Sequence, residues 1–102
     1  MSKKNTYHGR VFCAVLPENS EYDEGMRGAF VPVCCRASKY SKAIKKIEAE
    51  LLEIHLKLEG AEEFYDERYF EGVPSKEMVE MIDKLELYPV QFKDVHYFPP
   101  DS

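Results

Sequence analysis

The hydrophobic positions in the first third of the chain form two short, nearly continuous runs. Residues 7–16 place apolar side chains on both faces of an extended chain, which predicts a strand that is covered on both sides and ends at Pro17. Residues 18–28 are polar and contain glycine without apolar periodicity, which predicts a long loop. Residues 29–37 predict a second strand, in which Pro32 favours an edge position or a bulge because proline has no N–H to donate.

Apolar residues with helical spacing follow the second strand. They recur at intervals of three and four positions: Ile44, Ile47, Leu51, Ile54 and Leu58. This spacing predicts a long amphipathic helix that is capped at its start by Ser38 or Ser41 and closed by Gly60. A shorter helix is predicted between the capping residue Ser75 and Pro89. Its inward-facing positions are Met78, Ile82 and Leu85.

The remaining segments complete an alternating order of elements. Residues 64–70 mix aromatic and acidic side chains without a clean apolar side, so both helix and strand stay open, and we favour a strand. Residues 90–98 predict a closing strand. The order predicts one α+β domain over residues 1–102, an open sheet of about four strands with two helices packed on one face; a ferredoxin-like sandwich is compatible with it. Residues 1–6 and 99–102 are expected to be flexible tails.

The overall charge narrows the choice of partner. The 102 residues carry a formal net charge of −5, which disfavours direct contact with nucleic acid or an anionic membrane and favours a basic protein as partner. No apolar run approaches the length of a membrane span, and no secretion signal follows the first methionine. A cytoplasmic location is therefore expected. The odd number of cysteines fits reduced thiols in such a compartment.

The candidates for chemistry are few. Cysteine and histidine spacings typical of metal sites are missing, so we expect neither a metal nor a cofactor. Cys13 and the adjacent Cys34 and Cys35 are expected to be buried and inert, although strand alternation should point one of the adjacent pair outwards, where a thiol could react. Asp94 and His96 would share a strand face, either as an acid–base pair or as ordinary surface residues. No catalytic residue is predicted, and the missing phosphate-loop and nucleophile motifs argue against an enzyme.

A basic cluster marks the start of the predicted long helix. The cluster comprises Arg36, Lys39, Lys42, Lys45 and Lys46. No acidic residue lies between its first and last members. The helix dipole favours negative groups at this end, so the cluster is either a solvated face balanced by later acids or an anion-binding site. The predicted site comprises Arg36, Lys39, Lys42 and Lys46. It would belong to the alternative function, a small enzyme or ligand-binding domain.

In two segments of the chain, aromatic residues lie among acidic residues. Their candidate partner-binding residues are Tyr22, Asp23, Glu24, Glu63, Tyr65, Asp66, Glu67 and Tyr69. Aromatic anchors with carboxylates suit an interface for a basic protein, whereas the other interpretation is ordinary solubility with the aromatic rings in the core. The main hypothesis is a non-catalytic protein-binding domain, in kind a bacterial immunity protein or antitoxin that covers the cleft of a basic, nuclease-like toxin. A homo-oligomer is compatible with this hypothesis.

Overall fold

A long antiparallel hairpin forms the centre of the sheet in the computed structural model, which describes residues 4–98. The strands are β1 (Asn5–Val15), β2 (Gly28–Ala37), β3 (Leu56–Asp66), β4 (Val90–Phe92) and β5 (His96–Phe98). Their order is β3-β1-β2-β4, with β5 also paired to β2, and every neighbouring pair is antiparallel. The predicted α+β class, an open sheet with two helices, is confirmed.

The helices α1 (Tyr40–Leu52) and α2 (Lys76–Asp83) lie on opposite faces of this sheet. Adjacent strand residues point to opposite faces, and Cys35 belongs to the core beneath α1 whereas Cys34 packs with α2. The arrangement therefore differs from the predicted pair of helices on one face, and the element order differs from the β-α-β-β-α-β order of a ferredoxin-like sandwich. The helices lie on opposite faces because both faces of β2 are apolar, and each must be shielded from water.

The long helix ends earlier than its apolar spacing predicts. His55 adopts a left-handed conformation (φ 60°), and its N–H donates to the Leu52 carbonyl at 3.0 Å, which closes the helix two turns before Gly60. Leu56 and Leu58 continue the apolar pattern as alternate positions of β3. The prediction of a helix as far as Gly60 is therefore wrong, because helical and strand spacings overlap in this stretch.

The helix starts differ in their capping. Ser75 caps α2 as predicted, because its side chain accepts a hydrogen bond from the Met78 N–H at 3.1 Å. At α1 the N-cap position is Lys39, and among residues 4–98 no side chain caps this helix. The predicted caps Ser38 and Ser41 flank the actual N-cap by one and two positions, which places their hydroxyls outside the capping geometry.

Pro32 interrupts the sheet on one side only. The prediction was an edge position or a bulge. β2 is a central strand, so the edge position is wrong, but the partner strand breaks opposite this residue into β4 and β5. Between them Asp94 has a left-handed backbone (φ 49°), and the Lys93 N–H donates to the Pro32 carbonyl at 3.3 Å. Because Pro32 cannot donate in return, the expected single strand over residues 90–98 is divided at this point.

The free edge of the sheet is irregular. Among the described strands β3 pairs with β1 alone, and its register shifts twice, between the partners of Arg10 and Phe12 and between those of Phe12 and Cys13. Each shift leaves an extra β3 residue, which is a β-bulge. Beyond Asp66 the chain leaves the sheet through a 3₁₀ turn (Glu67–Tyr69), so the strand favoured for residues 64–70 extends only to Asp66.

The predicted loop after β1 is fixed to the rest of the molecule. Asn19 is buried, its side-chain amide donates to the Ile54 carbonyl at 2.8 Å, and its side-chain oxygen accepts from the Glu21 N–H at 2.8 Å.

The expected flexible tails are tested only in part. β1 begins at Asn5, inside the stretch 1–6 that was expected to be a flexible tail. Residues 1–3 and the expected tail 99–102 lie outside the described residues.

Candidate functional site

The two predicted acidic segments lie at opposite ends of the sheet. Residues 22–24 belong to the loop that follows Val15, the last residue of β1. Asp66 pairs with Tyr7 near the start of the same strand. Eight positions of extended chain separate Tyr7 from Val15, which corresponds to about 27 Å at about 3.4 Å per residue. The structure therefore does not combine the two segments into one surface.

The segment after residue 62 borders a groove, hereafter the His8 groove, between β1, β3 and the start of α2. Pairing places Tyr65 beside His8 and Glu63 beside Arg10, on the sheet face that carries α2. The groove has a volume of about 390 Å³. Its apolar walls include Tyr65, Phe70, Val73, Pro74 and Met78. Val73 is exposed to 90% and was missed by the sequence analysis, because an isolated valine before Pro74 has no periodic signal.

A buried histidine forms part of the groove wall. His8 is only 2% exposed, and its ring packs edge-on against Phe70, with the centroids 4.8 Å apart. Its Nε2 has no hydrogen-bond partner among residues 4–98. Burial lowers the pKa of His8 below its ordinary value of 6.5, and the Glu67 carboxylate acts in the opposite direction. The imidazole is therefore neutral at neutral pH.

Two of the predicted acidic residues already have partners within the chain. Glu63 accepts a hydrogen bond from Arg10, which lowers the pKa of the carboxyl group, and this guanidinium also lies 4.7 Å from the centroid of the Phe30 ring. Asp66 accepts from the backbone and the side chain of Arg68, at 2.9 and 2.7 Å, and so caps the 3₁₀ turn. Glu67 remains exposed.

A smaller pocket lies beside the groove and is hereafter the aromatic pocket. It has a volume of about 310 Å³ and is lined by Tyr65, Tyr69, Phe70 and Glu71. Tyr65 and Tyr69 are exposed to 40% and 74%, and the rings of Tyr65 and Phe70 lie 5.7 Å apart at 42°. Both tyrosines were predicted from the sequence, but Phe70 and Glu71 were not, because the turn that brings them back against Tyr65 was not predicted.

The basic residues near α1 do not form one cluster. Arg36 lies between the core residues Cys35 and Ala37 on β2, so its side chain points to the sheet face opposite α1. Lys46 donates to the Arg36 carbonyl at 3.0 Å. Lys39 and Lys42 are exposed at the start of the helix. The structure therefore separates Arg36 from the lysines with which it was predicted to bind an anion.

The predicted thiols are buried, and Asp94 and His96 do not lie on one strand. Cys13, Cys34 and Cys35 are free and fully buried, and burial raises their pKa values to about 11, about 12 and about 11. The expected outward cysteine is Cys34, which α2 covers. Asp94 lies in the break between β4 and β5, so it does not share a continuous strand with His96.

The open part of the α2 face carries a further cavity of about 510 Å³, lined in part by Phe30, Asp94, His96 and Phe98. The Phe30 ring packs against Phe12 and Phe98, at centroid distances of 5.2 and 5.4 Å, and the rings largely cover one another.

Two further kinds of site are absent from the described residues. Over residues 4–98 no group of acidic, cysteine and histidine side chains is arranged to hold a metal ion. In the same part of the chain, no helix is both long and apolar enough to cross a membrane.

The chain was compared with protein-family models, with curated proteins and with solved structures, and none of them matches it.

Proposed function

We propose that this protein is a non-catalytic binding domain for a basic protein. The contact surface, hereafter the 63–73 surface, comprises Glu63, Tyr65, Glu67, Tyr69 and Val73. The observation that carries the proposal is the exposure of large apolar side chains beside a groove: 40% for Tyr65, 74% for Tyr69 and 90% for Val73. Exposed aromatic residues around a concavity are typical anchors of protein interfaces.

Charge supports a basic partner for this surface. The net charge is −5, and Glu67 and Glu71 are exposed beside the aromatic rings. Carboxylates around apolar anchors raise the association rate with a positively charged protein and give the complex its salt dependence. Residues 22–24, in the loop at the other end of β1, are not included in the proposed contact.

A narrower form of this proposal is an immunity protein or antitoxin of a bacterial cytoplasm that covers the cleft of a nuclease-like toxin. It is supported by the acidic charge and by the exposed tyrosines, which suit the masking of a nucleic-acid-binding surface. The captured partner should degrade nucleic acid when purified alone and lose this activity on adding the domain. A partner without such activity would contradict the narrower form and leave the binding function in place.

The test compares three baits in parallel captures from lysate of the source organism. They are the wild-type domain, a Tyr65→Ser/Tyr69→Ser variant and a Tyr22→Ser/Tyr88→Ser variant. The control removes two tyrosines of similar exposure, 41% and 67%, from other parts of the surface and leaves the charge unchanged.

We expect one basic protein in stoichiometric amount on the wild-type and control baits, much less on the Tyr65/Tyr69 variant, and weaker retention in high salt. Circular dichroism of the three baits should be the same, since all four tyrosines are exposed. The proposal is wrong if no basic protein distinguishes the baits, or if the Tyr22/Tyr88 variant loses the partner instead.

A further inference from the structure

We infer that the aromatic pocket binds an arginine side chain of the partner. This inference rests on the proposed function and specifies the group that the 63–73 surface recognises. Three aromatic side chains and one carboxylate line the pocket, which has a volume of about 310 Å³. Aromatic faces attract a cation within about 6 Å of the ring centroid, and a neighbouring carboxylate adds a direct ion pair.

The Phe70 wall of the pocket packs against neighbouring rings before any ligand binds. Phe70 is half-buried, with its ring 4.8 Å from that of His8 and 5.7 Å from that of Tyr65. Asp66 caps the 3₁₀ turn that positions Tyr69. A rigid wall loses little conformational freedom on binding, so more of the cation–ring attraction is available as affinity.

The local charge also favours a cation from outside. Asp66 and Arg68 neutralise each other, as do Glu63 and Arg10. Glu71 lines the pocket and is exposed, and Glu67, two residues before Tyr69 in the chain, is exposed as well. The edge of the pocket is therefore negative although two arginines lie nearby.

The preference for arginine follows from a contact within the chain. The guanidinium carbon of Arg68 lies 5.3 Å from the centroid of the Tyr69 ring, so one face of this ring already accepts a guanidinium. A planar guanidinium is less strongly hydrated than an ammonium and stacks on aromatic rings while it donates to a carboxylate. The pocket offers both partners at one place, the aromatic rings and the Glu71 carboxylate.

The experiment is a nuclear magnetic resonance titration of the whole domain with three small probes at constant ionic strength. They are N-acetyl-arginine amide, N-acetyl-lysine amide and N-acetyl-citrulline amide, the last a neutral compound with nearly the shape of arginine. We expect saturable, millimolar binding of the arginine probe that shifts the ring resonances of Tyr65, Tyr69 and Phe70. Lysine should bind more weakly, and citrulline at least about tenfold more weakly, because it lacks the charge.

Two variants test the assignment to this pocket. Glu71→Gln and Tyr69→Leu should each weaken binding of the arginine probe by about fivefold. The matched controls Glu24→Gln and Tyr22→Leu, in the distant loop, should leave it unchanged. The inference is overturned if citrulline binds as well as arginine, or if the shifts map to residues outside the aromatic pocket.

The two proposals fail in different ways. If the arginine probe does not bind but protein capture still depends on Tyr65 and Tyr69, the pocket assignment is wrong and the binding function stands. If the arginine probe binds as expected while no basic protein is captured, the pocket is a cation site and the proposed protein-binding function is wrong.

Discussion

Gly9 is the residue on which the β1–β3 contact depends most directly. Its φ is +145°, and a Cβ atom at this position would lie 1.9 Å from the Glu63 carbonyl oxygen. The two backbones approach so closely that no side chain fits between them. The same contact places His8 and Arg10, on either side of Gly9, along the His8 groove.

A pair of glycine substitutions tests this constraint. Gly9→Ala should lower the free energy of unfolding by more than about 3 kcal/mol, because backbone strain and the clash with β3 add together. Gly72 also has positive φ, +118°, but its nearest neighbour would be 3.9 Å away, so Gly72→Ala should cost about 1–3 kcal/mol from strain alone. Urea unfolding measures both. Equal losses would contradict the close approach at Gly9.

His8 should make the stability of the domain depend on pH. Its pKa in the folded protein lies below 6.5, so the unfolded chain binds more protons as the pH falls through this value. The free energy of unfolding should therefore decrease below about pH 6.5, by at most about 1.4 kcal/mol per pH unit from this group. Urea unfolding from about pH 7.5 to about pH 5.5 measures the slope.

The His8→Phe variant should lose this part of the slope while keeping an aromatic ring against Phe70. The control His96→Gln removes an exposed imidazole in place of the buried one, and the slopes of the three proteins are compared. Parallel loss of stability in the wild type and in His8→Phe would show that another group is responsible.

At the scale of single residues, the sequence predicts that some side chains are buried but does not predict which residues cover them. The cysteines were expected to be buried and are, whereas the sequence does not show which residues cover His8. Its burial comes from Phe70, which is distant in sequence and returns to β1 through the 3₁₀ turn. Long-range contacts of this kind are not encoded in local spacing.

At the scale of elements, the cap of α2 offers a clear test. Ser75→Ala removes the acceptor for the Met78 N–H and should lower the free energy of unfolding by about 1 kcal/mol. Ser41→Ala is the matched control, since Ser41 lies inside α1 and should change stability by no more than a few tenths of a kcal/mol. Thermal unfolding of both variants measures the difference. Similar shifts would contradict the capping role.

The elements also mark the limits of sequence-based prediction. The first two strands and the two helices followed from hydrophobic patterns, whereas the end of α1 and the start of β3 did not, because apolar spacing continues past His55 into β3. Pro32 correctly indicated an irregularity, but its location was assigned to the wrong strand. The missing N–H affects the partner strand, which only the three-dimensional pairing identifies.

At the scale of the whole molecule, the two sides of the sheet are unequal. Within residues 4–98, the core under α1 contains fourteen buried residues, whereas the cluster under α2 contains four, among them Cys34 and Met81. Smaller clusters open locally at a lower free-energy cost than the whole fold. We therefore expect α2 to separate from the sheet while the larger core stays intact.

The cysteines report this difference. In native protein a thiol reagent should modify Cys34 before Cys13 and Cys35, as followed by mass spectrometry of peptides. Met81→Ala should speed modification of Cys34 by at least about tenfold and leave the other two unchanged. Ile47→Ala, in the larger core, is the control and should speed all three. Equal acceleration of all three in Met81→Ala would contradict independent opening of α2.

The candidate site was predictable only in part. Tyr65 and Tyr69 were selected from their acidic surroundings and border the aromatic pocket, whereas residues 22–24 lie at the far end of the sheet. Composition identifies side chains suited to an interface, but strand pairing decides which of them meet. The predicted anion site is wrong for the same reason, because Arg36 and the lysines project from different faces.

The bulged outer strand has a consequence for how copies of this protein meet at high concentration. A long, regular outer strand would act as a template on which another chain adds, the first step toward fibrils. Here the two irregularities in β3 disturb the row of free amide and carbonyl groups, and the exposed Glu59 and Glu62 would repel the same strand of a second copy. The shape of this edge thus protects the domain from polymerising.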